Sequence, residues 1–153
     1  MGLLPTEKSK PKVEPGTLKW LIYGEPKVGK TSLVSGFEDV LFLRTSQTSE
    51  TASIFKVDVH DWETYKQVVD EILKSKGKFK TICFDVIDDI YGYCVKYCNN
   101  KLQIDHVSDA KFAKGYHLID NEFEHWMNKM LMSNLGVIFL SHLDEKDIID
   151  KNG

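Results

Sequence analysis

Gly24, Glu25, Pro26, Lys27, Val28, Gly29, Lys30 and Thr31 satisfy the spacing G-x-x-x-x-G-K-[ST], and Ser32 follows directly. These residue types suit one chemistry, the holding of a polyphosphate tail. Glycines allow torsions that a Cβ forbids and let successive amides turn inward as a nest for anionic oxygens; a helix starting there adds its positive end. In this pattern Lys30 reaches the β- and γ-phosphates and the Thr31 hydroxyl is a ligand for Mg2+. Ser32 is placed for the α-phosphate, Lys27 for solvent. The competing reading is a flexible basic turn with an exposed lysine. Chance supplies the pattern roughly once in 200 chains of this length. The context weakens both alternatives: the apolar run "LKWLIY" precedes the loop as a buried strand would, and "KTSLVSGF" follows as a short helix with Gly36 as its stop.

A cation held between nucleotide phosphates calls for a carboxylate at the end of an apolar strand, and Asp85 in "TICFDVID" has that place. Asp88 and Asp89 come next. Each has two readings, a cap for the following helix or a group that orients the attacking water, with capping the better one for Asp89. In "FLSHLDEK" a parallel sheet would project Ser141 and His142 toward the γ-phosphate, where an imidazole or hydroxyl could sense its presence. A strand-end histidine facing solvent is the alternative. Cys83 reads as a small core residue, and Cys94 and Cys98, one helical turn apart, as reduced structural thiols; with His106 and His117 they match no usual zinc spacing.

The elements that must position these groups follow from periodicity. "VLFL" is a second buried strand, "IFKVDV" alternates like an edge strand, and Asp61 offers an N-cap to a helix bearing Trp62, Tyr65, Val69, Ile72 and Leu73, ended by "SKGK". A helix from about Asp89 to Leu102 would bury Ile90, Tyr93, Cys94 and Tyr97. The longest amphipathic helix carries Leu118, Ile119, Glu122, Phe123, Trp126, Met127, Met130 and Leu131, and "GVIFLSHL" closes the series as a last apolar strand. Apolar strands alternating with helices predict an α/β fold with a mostly parallel sheet covered on both faces, its ligand beyond the C-terminal strand ends.

The 153 residues suit a single domain beginning near Thr17, after a Pro- and charge-rich tail over residues 1–16. Apolar residues make up 42% and charged residues 28%, no apolar stretch is long enough to cross a membrane, and the N-terminus lacks the apolar core of a signal peptide, so a cytoplasmic protein is expected. A net charge of −3 argues against a broad electrostatic grip on nucleic acid but leaves room for a local basic loop.

"GEPKVGKTS", the stretch from "FKTICFDVIDD" through "HWMNKM", and "LGVIFLSHLDEK" together resemble the phage-encoded RecA-like ATPases of single-strand annealing and recombination, from roughly Leu18 to the end. The resemblance implies a RecA-like P-loop NTPase core, ATP with Mg2+ as cofactors, single-stranded DNA as partner, the bacterial host cytoplasm as location, and assembly into a ring or filament. By the same implication Lys30, Thr31, Asp85 and His142 hold the family's phosphate, metal and sensor positions. Ser46 stands where the family carries a glutamate that polarises the hydrolytic water, leaving Glu50 and Asp88 as substitutes. Asn152-Gly153 is a turn signal with no return strand, so a core truncated at its C-terminus is expected.

DNA contact would fall to Lys101, Lys111 and Lys114 or to the tail lysines Lys8, Lys10 and Lys12, with solvation as the default for both sets. Besides an ATPase acting on single-stranded DNA, two functions compete. One is a nucleotide-gated DNA-binding module with little hydrolysis, motivated by Ser46. The other is a small-molecule kinase, opposed by the absence of an arginine-rich lid, since Arg44 is the chain's one arginine.

Overall fold

Parallel strands cannot be joined by a hairpin turn and need a crossover from the end of one to the start of the next, which a helix commonly supplies. The computed structural model of the chain describes residues 17–46, 53–75, 77–104, 106 and 114–143, with the Lys114 side chain left aside. In order these form β1 (Lys19–Gly24), α1 (Lys30–Ser35), β2 (Val40–Arg44), β3 (Phe55–Asp58), α2 (Trp62–Lys74), β4 (Thr81–Asp85), α3 (Ile87–Leu102), α4 (Lys114–Leu131) and β5 (Gly136–His142). The expected tail over 1–16 and the Asn152-Gly153 turn lie outside the described residues.

The five strands form one sheet in the order β1-β5-β4-β2-β3, with every ladder parallel. This is the expected α/β architecture of a P-loop NTPase core. The chain leaves β1, passes over two strand positions to β2 and β3, then fills the gap with β4 and β5. The C-terminal ends of β1, β5 and β4 therefore stand side by side at the point where the topology reverses, the usual place for a ligand crevice.

Period-two alternation sends successive side chains to opposite faces. Leu41, Leu43, Ile82, Phe84 and Val137 meet α2, α3 and α4 in one core, while Val40, Phe42, Cys83, Ile138 and Leu140 meet Val34 of α1 in a second. Fully buried aromatics and branched chains such as Trp62, Phe42, Phe84 and Ile90 each contribute about 1.5–3 kcal/mol through burial. Glu122 sits on the inner side of α4 because the Trp62 indole N–H donates to its carboxylate at 2.8 Å, which joins α4 to α2.

Three expectations need correction. "LKWLIY" reads as a buried strand, yet β1 lies at the sheet edge, with Leu21 64% and Tyr23 68% exposed, because it pairs with β5 alone among the described strands. Leu73 follows the apolar spacing of α2 but is exposed, beyond the stripe of Trp62, Tyr65, Val69 and Ile72 that meets the core. Helix α3 starts at Ile87, two residues before Asp89, and its N-cap Val86 makes no side-chain capping bond. Asp89 is thus inside the first turn, not its cap. Among the described residues no helix is long and apolar enough to cross a membrane.

Asp61 does cap α2, its carboxylate accepting the Thr64 N–H at 2.7 Å, and that bond holds its pKa below the ordinary carboxylate value. A lowered native pKa means the stabilisation is present above the unfolded pKa and fades as pH falls through the native one. Chemical denaturation of Asp61→Ala should show a loss of about 1 kcal/mol at neutral pH, a gap that narrows in acid, while Asp61→Asn stays close to the parent.

Candidate functional site

The phosphate-loop pattern occupies the turn between β1 and α1. Gly29 takes φ 96°, where an ideal Cβ would meet nothing within 4 Å, so torsion rather than space favours glycine there. Lys27, a residue with a Cβ, also sits in the left-handed region at φ 67°, an arrangement the sequence pattern does not signal. Such torsions turn neighbouring amides to one side of the loop. The Lys30 ammonium donates to the Gly24 carbonyl at 2.8 Å and the Glu25 carbonyl at 2.9 Å, folding its side chain back over the loop that carries it. Glu25, Pro26, Lys27, Val28 and Ser32 are exposed around this turn.

From the first turn of α1 the Thr31 hydroxyl donates to Asp85 Oδ2 at 3.0 Å, bridging 54 residues of sequence. Asp85 ends β4, so the apolar run through Phe84 delivers a half-buried carboxylate to the loop. The pair offers hard oxygens suited to Mg2+, and the chemistry permits both bonds at once: a hydroxyl whose lone pairs face a cation can still give its proton to Asp85. Thr31 and Asp85 would hold that ion, which when bound neutralises phosphate charge.

Thr45, just past β2, is a positioning residue that sequence reasoning missed. Its N–H donates to the Asp85 carbonyl at 3.0 Å, its hydroxyl donates to Asp89 Oδ2 at 2.6 Å, and the Val86 N–H donates to that hydroxyl at 3.3 Å. This accounts for Asp89, whose carboxylate serves Thr45 instead of a helix cap. Arg44, beside Asp85 in register, is only 4% exposed, and it donates to the Ser46 carbonyl at 3.0 Å. The one available signal was the polar pair Arg44-Thr45 following four apolar residues, which does not by itself reveal a role.

Asp88, in the first turn of α3, accepts the Ser141 hydroxyl on Oδ1 at 2.9 Å and the His142 N–H on Oδ2 at 3.0 Å. Both donors end β5, where Ser141 is in register with Tyr23 and His142 with Gly24. His142 itself is exposed. Lys30, Thr31, Asp85, Asp88 and His142 are thus gathered around three adjacent strand ends. Glu50, a candidate for the hydrolytic water, lies outside the described residues, as do Lys8, Lys10, Lys12 and Lys111. Lys101 is exposed at the end of α3, its ammonium 5.9 Å from the Tyr97 ring centre. All three cysteines are free and buried; burial raises the Cys83 and Cys94 thiols well above their ordinary values, away from reactive thiolate character. Among the described residues no group of three or more His, Cys, Asp or Glu side chains is placed to hold a metal.

A family model described as an AAA domain matches residues 17–153, the span that contains this whole arrangement. The chain belongs to the AAA-domain family. Membership makes it a P-loop NTPase-type domain, and domains of that type generally bind nucleotide with Mg2+. The chain is also 25% identical over 139 residues to the SPbeta prophage-derived uncharacterized protein YorG of Bacillus subtilis (strain 168), an alignment covering 86% of this chain and 42% of the relative. It spans less than half the length of that protein.

In this AAA domain the Thr45 hydroxyl can be tested directly. Thr45→Val leaves the Val86 N–H without its acceptor and should cost about 1–3 kcal/mol in urea unfolding, whereas Thr45→Ser, which keeps the hydroxyl, should recover most of the loss.

Proposed function

We propose that this chain is the core of a phage-type, Mg2+-dependent ATPase that works on single-stranded DNA during recombination or annealing in the bacterial host cytoplasm. The observation that carries the nucleotide part is the Thr31–Asp85 hydrogen bond beneath a glycine loop whose Lys30 is folded over it. One motif contributes the lysine and hydroxyl, another 54 residues away contributes the carboxylate, and together they form a phosphate and cation cradle. The DNA part is supported by the resemblance of the three motif stretches to RecA-like annealing ATPases, and the phage part also by the prophage origin of the relative. Assembly into a ring or filament belongs to the same reading.

A second reading, nucleotide-gated DNA binding with slow turnover, is favoured by two observations. Ser46 occupies the place of the family's glutamate, and both oxygens of Asp88, a substitute for it, accept hydrogen bonds from β5. A kinase reading finds little support, because Arg44 is buried at the end of β2, not on a lid.

Phosphate release measured against single-stranded DNA concentration separates these readings. The ATPase reading expects release that rises with DNA, weakens with salt, and falls about 100-fold or more in Lys30→Ala. Nucleotide-dependent DNA binding without faster release would leave the second reading, and release that needs a small phosphate acceptor but ignores DNA would leave the kinase.

A further inference from the structure

We propose that Asp88 is a positioning residue through which this site distinguishes a nucleoside triphosphate from a diphosphate, by fixing the end of β5 beside the phosphate loop. The inference rests on the nucleotide-binding reading above and assigns Asp88 a role other than orienting water.

The argument begins with strand lengths. The β4–β5 ladder ends at Asp85 and Leu140, whereas the β1–β5 ladder continues to Gly24 and His142. β5 therefore outruns β4 by two residues, Ser141 and His142, and on that side no backbone of β4 meets them. The Asp88 carboxylate takes its place. Oδ2 accepts the His142 N–H at 3.0 Å and Oδ1 accepts the Ser141 hydroxyl at 2.9 Å, so one side chain from α3 serves both.

The fixed strand end is coupled to the loop. The Leu143 N–H donates to the Gly24 carbonyl at 3.0 Å, and the same carbonyl accepts the Lys30 ammonium at 2.8 Å. Asp88, the end of β5, Gly24 and Lys30 are thus linked by hydrogen bonds through the His142–Leu143 backbone. A diphosphate is held chiefly by the loop, while the third phosphate extends toward the strand ends, where Ser141 presents a hydroxyl. That hydroxyl has one proton, given to Asp88 at 2.9 Å with the His142 carbonyl as a second acceptor at 3.3 Å, so to meet a phosphate oxygen it turns from Oδ1 while Oδ2 keeps hold of the His142 N–H and with it the strand end. Because Asp88 is exposed and belongs to no apolar core, its loss acts on the strand end more than on the fold.

The test is calorimetric titration of the full chain with a non-hydrolysable ATP analogue and with ADP, each with Mg2+, for the parent, Asp88→Asn and Ser141→Ala. The parent should prefer the triphosphate analogue. Asp88→Asn should lower that preference about tenfold, the size of one charge-assisted hydrogen bond, while ADP affinity stays within about twofold. Hydrogen exchange at the His142 amide should quicken in the same variant. Ser141→Ala, which leaves the carboxylate in place, should lower the preference in the same direction and carries the test if Asp88→Asn does not fold. An unchanged or increased triphosphate preference overturns the proposal, as does a parallel loss for both nucleotides, the mark of a merely structural role. A parent chain that binds neither nucleotide overturns the underlying reading as well, an outcome distinct from a parent that binds both and a variant that discriminates equally well.

Discussion

A single hydrogen bond, from the Thr31 hydroxyl to Asp85, ties the phosphate loop to the middle of the sheet. Without it α1 would be held by its one buried side chain, Val34, and by short-range contacts at its two ends. With it, the loop, the helix and the end of β4 share a reference point. The bond uses only the proton of the hydroxyl, so the oxygen remains available to a cation. The same contact can therefore organise the loop before a cation arrives and persist once one is bound.

Around that bond the strand ends are held by side chains where the backbone ladders stop. Thr45 fastens β2 to the turn between β4 and α3, and Asp88 fastens β5 to α3. The first turn of α3 thus carries two adjacent carboxylates aimed at opposite neighbours. This explains two acids at the start of a helix whose N-cap residue is an apolar valine. Negative charge in a first turn is also favourable to the helix, so local and tertiary demands agree.

Much of the fold was legible because burial imposes a pattern on sequence. β2, β4 and β5 lie inside the sheet and read as unbroken apolar runs, and the alternation in "IFKVDV" marks an edge strand. The same logic misplaced β1. An apolar run alone does not say whether both sides of a strand are paired, and Leu21 and Tyr23 are exposed where burial was expected. The residues gathered at the site were legible in proportion to their chemistry. Loop glycines, Lys30 and Thr31 obey a spacing set by phosphate geometry, and Asp85 follows from its place at a strand end. Thr45 was not legible, because its partners Asp85, Val86 and Asp89 are about forty residues away and leave no periodic trace. Asp88 was singled out for its chemistry, but whether it faced a helix end, a water or a neighbouring strand depended on β5 being longer than β4.

The edge position of β1 has a mechanical consequence. Among the described strands, β1 is laterally restrained by β5 alone, so this one ladder, together with the Thr31–Asp85 bond, sets the axial alignment of the phosphate loop with the rest of the site. Slippage by one residue along it would displace the loop by about 3.3 Å and invert which way each β1 side chain faces. The Lys19 ammonium, bonded to the Ser133 and Leu135 carbonyls just ahead of β5, pins the far end of that ladder. A lysine at the opposite end of the strand thus adds a side-chain tie to the ladder that aligns the loop.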